Sequence, residues 1–373
     1  MKKEAENLDE YPKIAIVYLS FHCEPYIDDV VSALKNVTYP KDKLELVIVD
    51  NPHPDHGSSV RYLEENVMPM SGEELPHITL LPQEENLGFA GGNNKGAEWA
   101  LENDYDYVFF HNDDGFVATN CFEPLVELME QNEGVGMAQS LMLLHPDTDK
   151  INNTGNSFHY LGFGFGNNYR MPVKDYEKEE PQEIGYASGA ALMVPTDLIE
   201  KHGAWDEDYF LYHEDMEWCF RLRSLGYEIK MVPNSIFYHK YQFSRSITKF
   251  YYMERNRYGT WLRFFSWPTL LMLLPMELVL EIGLLIYSIK NSWFDKRLKL
   301  YKYWLKPKNW KMWLEKRRET RKNKKVSDRE LLAKANPIIE FQEKSMQDPL
   351  LKKVGNPIMK LYYYIVVRGL IWW

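Results

Sequence analysis

Cysteine is scarce in this sequence, and its positions show no pattern. The 373 residues include three cysteines, Cys23, Cys121 and Cys219, which are far apart and odd in number. This spacing is typical of reduced thiols in the cytosol, and it excludes a disulfide framework or a metal site built on paired cysteines. Apolar residues are also scarce at the start, because residues 1–12 are charged and contain no apolar run, and we therefore expect no signal peptide. We therefore expect a flexible N-terminus and a catalytic part that faces the cytoplasm.

An excess of positive charge is lacking as well. Lys and Arg number 44 against 54 Asp and Glu, which leaves a formal net charge of −10. Such a balance argues against a general nucleic-acid binder, so we predict no nucleic-acid partner. The apolar share of 45% is ordinary for a globular protein, and the length allows one α/β domain with an appendage.

Short apolar runs alternate with helical patterns in the first third of the chain. The runs predict buried strands at residues 14–19, 44–49, 78–81 and 107–110, and the patterns between them predict helices at residues 26–36, 59–67 and 91–101. Repeated βα units predict a mostly parallel, doubly wound sheet flanked by helices, with ligands bound beyond the carboxyl ends of the strands.

Polar residues follow each predicted strand, at 20–22, 50–52, 86–88 and 112–114. The last group contains two adjacent carboxylates, Asp113 and Asp114. Two adjacent carboxylates at the end of a buried strand are unfavourable, because they are desolvated and repel each other. A cation bound between them and a phosphate would offset this cost. The alternative is a plain loop, because Asn-Asp-Asp-Gly is also good turn chemistry.

Residues 86–96 are rich in glycine and asparagine where a loop enters a predicted helix. Glycines let a backbone approach a ligand closely, and N–H groups at a helix start attract phosphate. The spacing matches neither G-x-G-x-x-G nor the P-loop, so a tight turn with close helix packing is the alternative. Residues 162–166, Gly-Phe-Gly-Phe-Gly, follow no clear strand, and we expect a flexible aromatic loop near an acceptor.

The second half of the predicted site begins at residues 186–194, a turn of small residues that suits the floor under a sugar, followed by an apolar strand. An apolar stripe at Trp218, Leu222 and Leu225 then predicts a helix. Glu214 and Asp215 lie at its N-terminus, where the helix dipole favours an ionised carboxylate able to accept a proton. They are alternatively simple helix caps.

Residues 255–257, Arg-Asn-Arg, form a basic patch. Either these side chains neutralise the phosphates of a leaving group, or they are only the solvent-exposed polar side chains of a helix.

The motifs together resemble family-2 glycosyltransferases of the rhamnosyltransferase-like kind, which have the GT-A fold. The similarity lies in Asn-Leu-Gly-Phe-Ala-Gly-Gly-Asn-Asn at 86–94, in the acidic triplet 112–114 and in the acidic-aromatic block 206–215, and it covers about residues 13–260. The sequence departs from the family in three places. Asp113 stands where proline is frequent, Ser-Phe-His at 20–22 replaces Thr-Tyr-Asn, and Asn93 stands where many relatives carry arginine.

The resemblance implies a role for each matching position. Asp215 would be the general base of an inverting transfer, Asp114 a ligand of Mn²⁺ or Mg²⁺ together with His239, and Asp50 a contact of the nucleoside base. The remaining donor contacts would be Ser20, Phe21, Asn86, Gly88, Asn93, Asn94, Asp113, Gly189 and Glu214.

The implied donor is dTDP-rhamnose, ahead of a UDP-hexose, and the implied acceptor is a glycan or lipid-linked saccharide in cell-surface polysaccharide synthesis. Two other functions stay open at this point: a non-catalytic nucleotide-sugar-binding membrane scaffold, and a sugar nucleotidyltransferase. The oligomeric state cannot be read from the sequence.

Residues 266–373 have a different composition and predict a helical, membrane-associating region. Residues 267–289 are apolar over about the 20 residues that span a bilayer, but they contain Glu277, Glu281 and two prolines. We therefore expect a helix or helical hairpin lying in the membrane interface rather than a full span.

Two further stretches support this expectation. Residues 290–325 are basic with many aromatics, which suits an anionic membrane surface on the cytoplasmic side, and residues 357–373 are apolar again. The alternative is a basic helix that packs its aromatics on the main domain.

Overall fold

The computed structural model describes residues 11–241, 247–340 and 349–373. The predicted flexible N-terminus, residues 1–12, lies almost entirely outside this part of the chain. The strands are β1 Ile14–Ser20, β2 Leu44–Asp50, β3 His77–Pro82, β4 Tyr107–Asn112, β5 Gly115–Val117, β6 Val135–Leu144, β7 Ile151–Asn153, β8 Asn156–Phe158, β9 Gly164–Gly166, β10 Gln182–Glu183, β11 Ala191–Pro195 and β12 Glu228–His239. The helices are α1 Ile27–Lys35, α2 Val60–Asn66, α3 Gly88–Glu102, α4 Glu123–Gln131, α5 Thr196–His202, α6 Glu214–Ser224, α7 Ile247–Phe264, α8 Trp267–Lys290, α9 Phe294–Trp304, α10 Pro307–Asn323, α11 Asp328–Leu332 and α12 Asn356–Tyr362.

The predicted βα units are confirmed. Every residue of β1 and β2 is buried, which explains why both read as unbroken apolar runs. Alternate residues of β1 point into two different cores: Ala15 and Val17 face α3, whereas Ile14 and Ile16 face the side covered by α1 and α4. The domain therefore has three layers, with helices on both faces of the sheet.

The main sheet has the order β10-β12-β6-β11-β4-β1-β2-β3. Its half from β4 to β3 is parallel, as predicted, and β6 and β12 are parallel to each other. Between these two parts lies β11, which is antiparallel to both β4 and β6. β5 pairs antiparallel with the end of β12. This short pairing places the acidic turn after β4 beside His239.

The glycine-rich stretch is the first point that differs from the prediction, because α3 begins at Gly88 and not at Gly91. Gly91, Gly92 and Gly96 therefore lie inside the helix. A Cβ at Gly92 would lie 2.4 Å from Leu19 Cδ1, and a Cβ at Gly96 would lie 2.3 Å from Val17 Cγ1. These two glycines let α3 pack closely on β1, which is the packing alternative considered above.

Residues 162–166 also differ from the prediction. They were expected to form a flexible loop with no strand, but Gly164–Gly166 is a strand, β9, which pairs antiparallel with β8. The period-two signal is too short to detect, because each strand has three residues.

The C-terminal region is helical, as predicted, and it shares a core with the sheet. Trp261, Leu273 and Met359 belong to the same apolar cluster as Ala15 and Val17 of β1. Residues 267–290 form one continuous helix, α8, and not a hairpin. Trp293 and Trp313 are buried rather than presented to solvent, so for these two side chains the packing alternative is correct.

Candidate active site

The acidic turn after β4 is held against the end of β12. Asn112 Nδ2 donates to Asp114 Oδ1 over 2.8 Å, and the Lys240 N–H donates to the Asp114 carbonyl over 2.7 Å. His239 Nε2 lies 3.0 Å from Asp114 Oδ1, and its Nδ1 lies 3.0 Å from Asn152 Oδ1. The structure thus brings together the two predicted metal ligands, although they are 125 positions apart in the sequence.

The geometry of this pair fits a divalent cation. An Nδ1–H that donates to the Asn152 oxygen leaves the Nε2 lone pair directed at a carboxylate, and two acceptors at this distance need a proton or a cation between them. Two ligands at right angles, each about 2.1 Å from an ion, stand about 3.0 Å apart. In the described part of the chain no cluster of three or more His, Cys, Asp or Glu side chains could hold a metal. A cation here would therefore complete its shell with water and diphosphate oxygens, as Mg²⁺ commonly does.

The two aspartates of the turn have opposite electrostatics. Burial, followed by the charge of Asp114, raises the pKa of Asp113 to about 8, while the Phe21 backbone N–H donates to its carboxylate. Burial alone would also raise the pKa of Asp114, but His239 with a proton on Nε2, together with the Asn112 amide, holds it below its usual range. Asp114 is therefore the ionised member of the pair and the better cation ligand.

The adjacent ends of β1 and β2 form a second cluster. Ser20 Oγ donates to Asp50 Oδ1 over 2.8 Å, Ser58 Oγ donates to Asp50 Oδ2 over 2.6 Å, and the Ser59 N–H donates to Asp50 Oδ1 over 3.2 Å. Asp50 is 1% exposed. Three hydrogen-bond donors thus fix the orientation of its carboxylate. Only the remaining lone pairs are left to accept hydrogen bonds from a nucleoside base.

Aromatic rings lie beside this cluster: Phe21 is a predicted donor contact, whereas His53 and His56 were not singled out from the sequence. The Phe21 ring lies 4.5 Å from the His53 ring, and His22 stacks on His56 with ring centroids 3.9 Å apart. These residues come from the ends of β1 and β2, which are far apart in sequence, so only the polar strand ends gave a local signal.

Asn51 is a further residue that was missed as a site residue. It is buried, its Nδ2 donates to the Gly88 carbonyl over 2.8 Å, and its Oδ1 accepts from the Leu87 N–H over 3.3 Å. The exposed Asn86 side chain accepts from the Gly88 N–H over 2.8 Å. The start of α3 is therefore tied to the end of β2.

Three of the predicted donor contacts lie in packed positions. Asn93 is buried and donates to the Phe89 carbonyl one helical turn earlier. Asn94 clamps Trp205, donating to its carbonyl over 2.9 Å and accepting from its N–H over 3.0 Å. A Cβ at Gly189 would lie 2.8 Å from the Trp205 ring. These residues hold the segment around Trp205 against α3.

The predicted helix with an acidic N-terminus is confirmed as α6. Asp215 Oδ1 accepts from the Met216 N–H over 2.7 Å, and Glu214 is buried with Oε2 unpartnered. Burial raises the pKa of Asp215 to about 7, and burial with the Asp215 charge raises the pKa of Glu214 well above its usual range. Desolvation therefore outweighs the dipole effect that the sequence alone favoured. At neutral pH the pair carries about one proton more than two exposed carboxylates would carry.

The acidic pair and the Asp114–His239 pair lie on connected elements. Tyr186 interacts electrostatically with both Asp215 and Tyr241, and the Tyr241 ring lies 5.5 Å from the His239 ring. Between them, the turn before β11 is joined to the acidic turn by the Asn112 N–H, which donates to the Ala190 carbonyl over 3.0 Å. The candidate site thus combines a carboxylate of raised pKa with the Asp114–His239 pair at one edge of the sheet.

The basic patch at 255–257 does not form an exposed phosphate site. Asn256 and Arg257 are buried, and Arg257 pairs with Glu254 and Glu277. For Asn256 and Arg257, the structure therefore supports neither of the two alternatives, a phosphate contact or a solvent-exposed helix surface.

Comparison with known proteins identifies the family. Residues 15–203 match the family model "Glycosyl transferase family 2". The "Probable glycosyltransferase YdaM" of Bacillus subtilis is 23% identical over 245 residues, which are 63% of this chain and 52% of YdaM. This chain therefore spans about half the length of that curated relative.

A second relative is the "N-acetylglucosaminyl-diphospho-decaprenol L-rhamnosyltransferase" of Mycobacterium tuberculosis. It is 22% identical over 254 residues, which are 62% of this chain and 76% of that protein. Among solved structures, GalNAc-T7 with UDP, GalNAc and Mn²⁺ has a similar fold, with a TM-score of 0.52 at 14% identity over 68% of this chain and 48% of that chain. The expectations from the motifs are confirmed: the chain belongs to glycosyl transferase family 2, and its core has the GT-A fold.

Proposed function

We propose that this protein is a metal-dependent inverting glycosyltransferase that moves a sugar from a nucleoside diphosphate donor to a saccharide acceptor. The observation that carries the proposal is the Asp114–His239 pair, whose Oδ1 and Nε2 atoms stand 3.0 Å apart at the same edge of the sheet as the Ser20–Asp50 cluster. A cation and a nucleotide find complementary groups there. Asp215, at the start of α6, supplies a base whose raised pKa matches proton transfer near neutral pH.

The residues act as follows. The Asp50 carboxylate, preorganised by Ser20, accepts a hydrogen bond from the nucleoside base. The Asp215 carboxylate accepts the proton of the acceptor hydroxyl, whose oxygen forms a bond to the anomeric carbon while the bond to the diphosphate oxygen breaks. Attack opposite the leaving group inverts the anomeric configuration. Asp114 and His239 would hold the metal, which supplies positive charge to the departing diphosphate. The imidazole ligand favours a transition metal such as Mn²⁺ over Mg²⁺.

The relatives support particular choices of donor and acceptor. Rhamnose from dTDP-rhamnose is the first candidate, since the relatives include a rhamnosyltransferase of M. tuberculosis and the "dTDP-rhamnosyl transferase RfbF" of Shigella flexneri. A UDP-hexose is the second, supported by the "Low-salt glycan biosynthesis hexosyltransferase Agl10" of Haloferax volcanii. The diphospho-decaprenol acceptor in the name of the M. tuberculosis relative supports a lipid-linked saccharide and a role in cell-surface polysaccharide synthesis.

Membrane association, with the active site on the cytoplasmic side, is part of the proposal. α8 is long and apolar enough to cross a membrane by length and composition, and an 18-residue stretch of it has a mean hydropathy of 2.1. Its carboxylates face the protein, because Glu277 pairs with Arg257, and Glu281 pairs with Arg297. Apolar side chains cover the outer face of the helix: Leu271, Leu274, Leu278, Val279, Ile282, Ile286 and Ile289. A helix that is polar towards the domain and apolar outwards supports a position in the membrane interface.

Calorimetry with the full chain tests the site. We expect UDP or dTDP to bind in the presence of Mn²⁺, and Asp114→Asn to abolish the metal dependence of binding. Asp113→Asn is the matched control, since it removes the neighbouring carboxylate that is not expected to bind the metal. Equal binding of several nucleoside diphosphates would contradict the preference for dTDP.

Turnover tests the chemistry. We expect Asp215→Asn to bind the nucleoside diphosphate normally and to stop donor consumption. Continued donor consumption by this variant would refute the assignment of the base.

Flotation with vesicles tests the membrane proposal. We expect the full chain to float with vesicles that contain anionic lipid, and a variant with Leu278→Asn and Ile282→Asn to float less. Undiminished flotation of this variant would refute the role of α8.

A further inference from the structure

The loop that leads into α6 has an unusual backbone. Phe210, Tyr212 and His213 have φ values of 62°, 66° and 67°, and none of them is glycine. Side chains with a Cβ rarely adopt this conformation, because it brings the Cβ close to the carbonyl oxygen. Such a loop persists only when its surroundings hold it. Its last residue directly precedes Glu214 and Asp215, so its shape sets the position of the acidic pair.

Asn256 of α7 makes several of the hydrogen bonds that hold this loop in place. Its Nδ2 lies 3.0 Å from the Tyr209 carbonyl oxygen, 3.0 Å from that of Leu211 and 2.6 Å from that of Tyr212. Asn256 is 0% exposed. The two N–H groups of one buried amide are therefore shared among three carbonyl oxygens of the loop, and the amide is too deep to contact a substrate.

Arg255 fixes the orientation of this amide. Its Nε donates to Asn256 Oδ1 over 2.8 Å, so the amide nitrogen must point at the loop. Its Nη2 donates to the carbonyls of Asp208 and Tyr209 over 2.7 and 2.8 Å. The residues that the sequence presented as a basic patch thus contact backbone oxygens instead of phosphate.

The far side of the loop is held as well. His213 Nε2 lies 3.0 Å from the Gly162 carbonyl oxygen, and the Phe89 N–H donates to the Phe210 carbonyl over 3.1 Å. Arg257 Nη1 donates to the Leu161 carbonyl over 2.7 Å, which fixes the segment that receives His213. α7 therefore contacts both the loop and the segment against which it rests.

We propose that Asn256 is a positioning residue for Asp215: its amide holds the carbonyls of Tyr209, Leu211 and Tyr212 and thereby sets the direction from which Asp215 faces the acceptor. The inference rests on the proposed function, because it assumes that Asp215 accepts the proton of the acceptor. Asn256 itself contacts neither substrate nor metal. Its loss should therefore lower the rate of the chemical step and leave binding of the nucleoside diphosphate intact.

The test compares Asn256→Ala with Thr260→Val in the full chain. Thr260 lies one turn further along α7, is equally buried, and bonds to the Asn256 carbonyl and the Tyr209 hydroxyl rather than to the loop carbonyls. We expect Asn256→Ala to lower kcat about 10- to 100-fold, as misplacement of a reacting group by ~1 Å does. The Kd for UDP or dTDP with Mn²⁺ should change by less than about twofold. Thr260→Val should lower the Tm without this loss of kcat. Equal kcat losses in both variants at equal Tm would overturn the positioning role.

A second variant covers the case in which Asn256→Ala does not fold. Arg255→Met removes the donors to Asn256 Oδ1 and to the Asp208 and Tyr209 carbonyls at a half-buried site, together with the guanidinium contact with the Tyr252 ring. We expect an intermediate loss of kcat with unchanged nucleotide binding. An unchanged kcat would overturn the proposal.

Asp215→Asn in the same assay separates the two hypotheses. If the unaltered chain consumes no nucleotide-sugar donor, the proposed function is refuted, and if Asp215→Asn still turns over, the assignment of Asp215 as the base is refuted. If it is inactive while Asn256→Ala is fully active, only the positioning role is refuted.

Discussion

Arg257 allows the sharpest test of how the C-terminal helices are joined to the domain. Its guanidinium is 2% exposed and uses all five N–H groups. Two bonds go to Glu254 over 3.0 and 3.1 Å, two go to Glu277 over 2.8 and 2.9 Å, and one goes to the Leu161 carbonyl over 2.7 Å. Replacing Arg257 by Met keeps most of the volume and removes every one of these bonds.

The expected cost follows from what is left behind. Glu254 keeps Arg297 as a partner at 2.9 Å, whereas the Glu277 carboxylate loses its only ion pair shown in the described residues. Removing one partner of a buried ion pair costs about 3–5 kcal/mol, because the other charge is left unpaired. That is a large part of a typical folding free energy of about 5–15 kcal/mol.

Urea unfolding followed by circular dichroism measures this cost, and a double-mutant cycle with Glu277→Gln identifies its cause. We expect the double variant to be more stable than Arg257→Met alone, because the unpaired, largely buried carboxylate of Glu277, whose side chain is 18% exposed, is gone. The loss should change little with salt, since buried pairs are weakly screened. A loss below about 1 kcal/mol, together with loss of nucleoside diphosphate binding, would refute the reasoning and restore the phosphate-contact interpretation.

Three further predictions concern the site itself. Turnover should rise as the pH rises through about 7, because Asp215 then loses its proton. The contribution of Asp215 to the free energy of unfolding should fall between about pH 3.9, its unfolded pKa, and about pH 7, because burial disfavours the ionised form. Asp215→Asn should remove this pH dependence of unfolding. Gly96→Val should lower the free energy of unfolding by about 1–3 kcal/mol through overpacking against Val17, with the Kd for nucleoside diphosphate unchanged in calorimetry. Asn51→Ala should leave the Gly88 carbonyl unsatisfied, at a cost of about 1–3 kcal/mol in urea unfolding, and should weaken nucleoside diphosphate binding because the start of α3 is released from β2.

Local patterns were enough for most of the parallel part of the sheet. β1 and β2 are buried on both faces, so their apolar runs were unambiguous. Period-two and helical signals failed where elements were too short, as in β9, or where glycine had two possible uses, as in α3. In α3 the helix needs its glycines for contact with β1, and a sequence cannot distinguish that need from contact with a ligand.

Long-range partners were beyond the reach of local patterns. The sequence indicated Asp114 and His239 separately, but their distance depends on the antiparallel pairing of β5 with the end of β12. The pKa of Asp215 was expected to be low from its place at a helix start, and burial reverses this expectation because desolvation acts on the ionised form. From the sequence, the carboxylates of α8 argued against a full membrane span, but the sequence did not show that Arg257 and Arg297 pair with them.

By itself, the sequence determined the family, the βα framework and the positions where carboxylates follow strands, because each depends on residues close together along the chain. Tertiary structure alone decided which of these groups meet. It joined Asp114 to His239, buried the Glu214–Asp215 pair, and used Asn256 and Arg257 as internal donors to backbone and carboxylate oxygens. The physical reason is that desolvation and hydrogen bonding depend on neighbours in space, and those neighbours are brought together only when the sheet and the C-terminal helices pack.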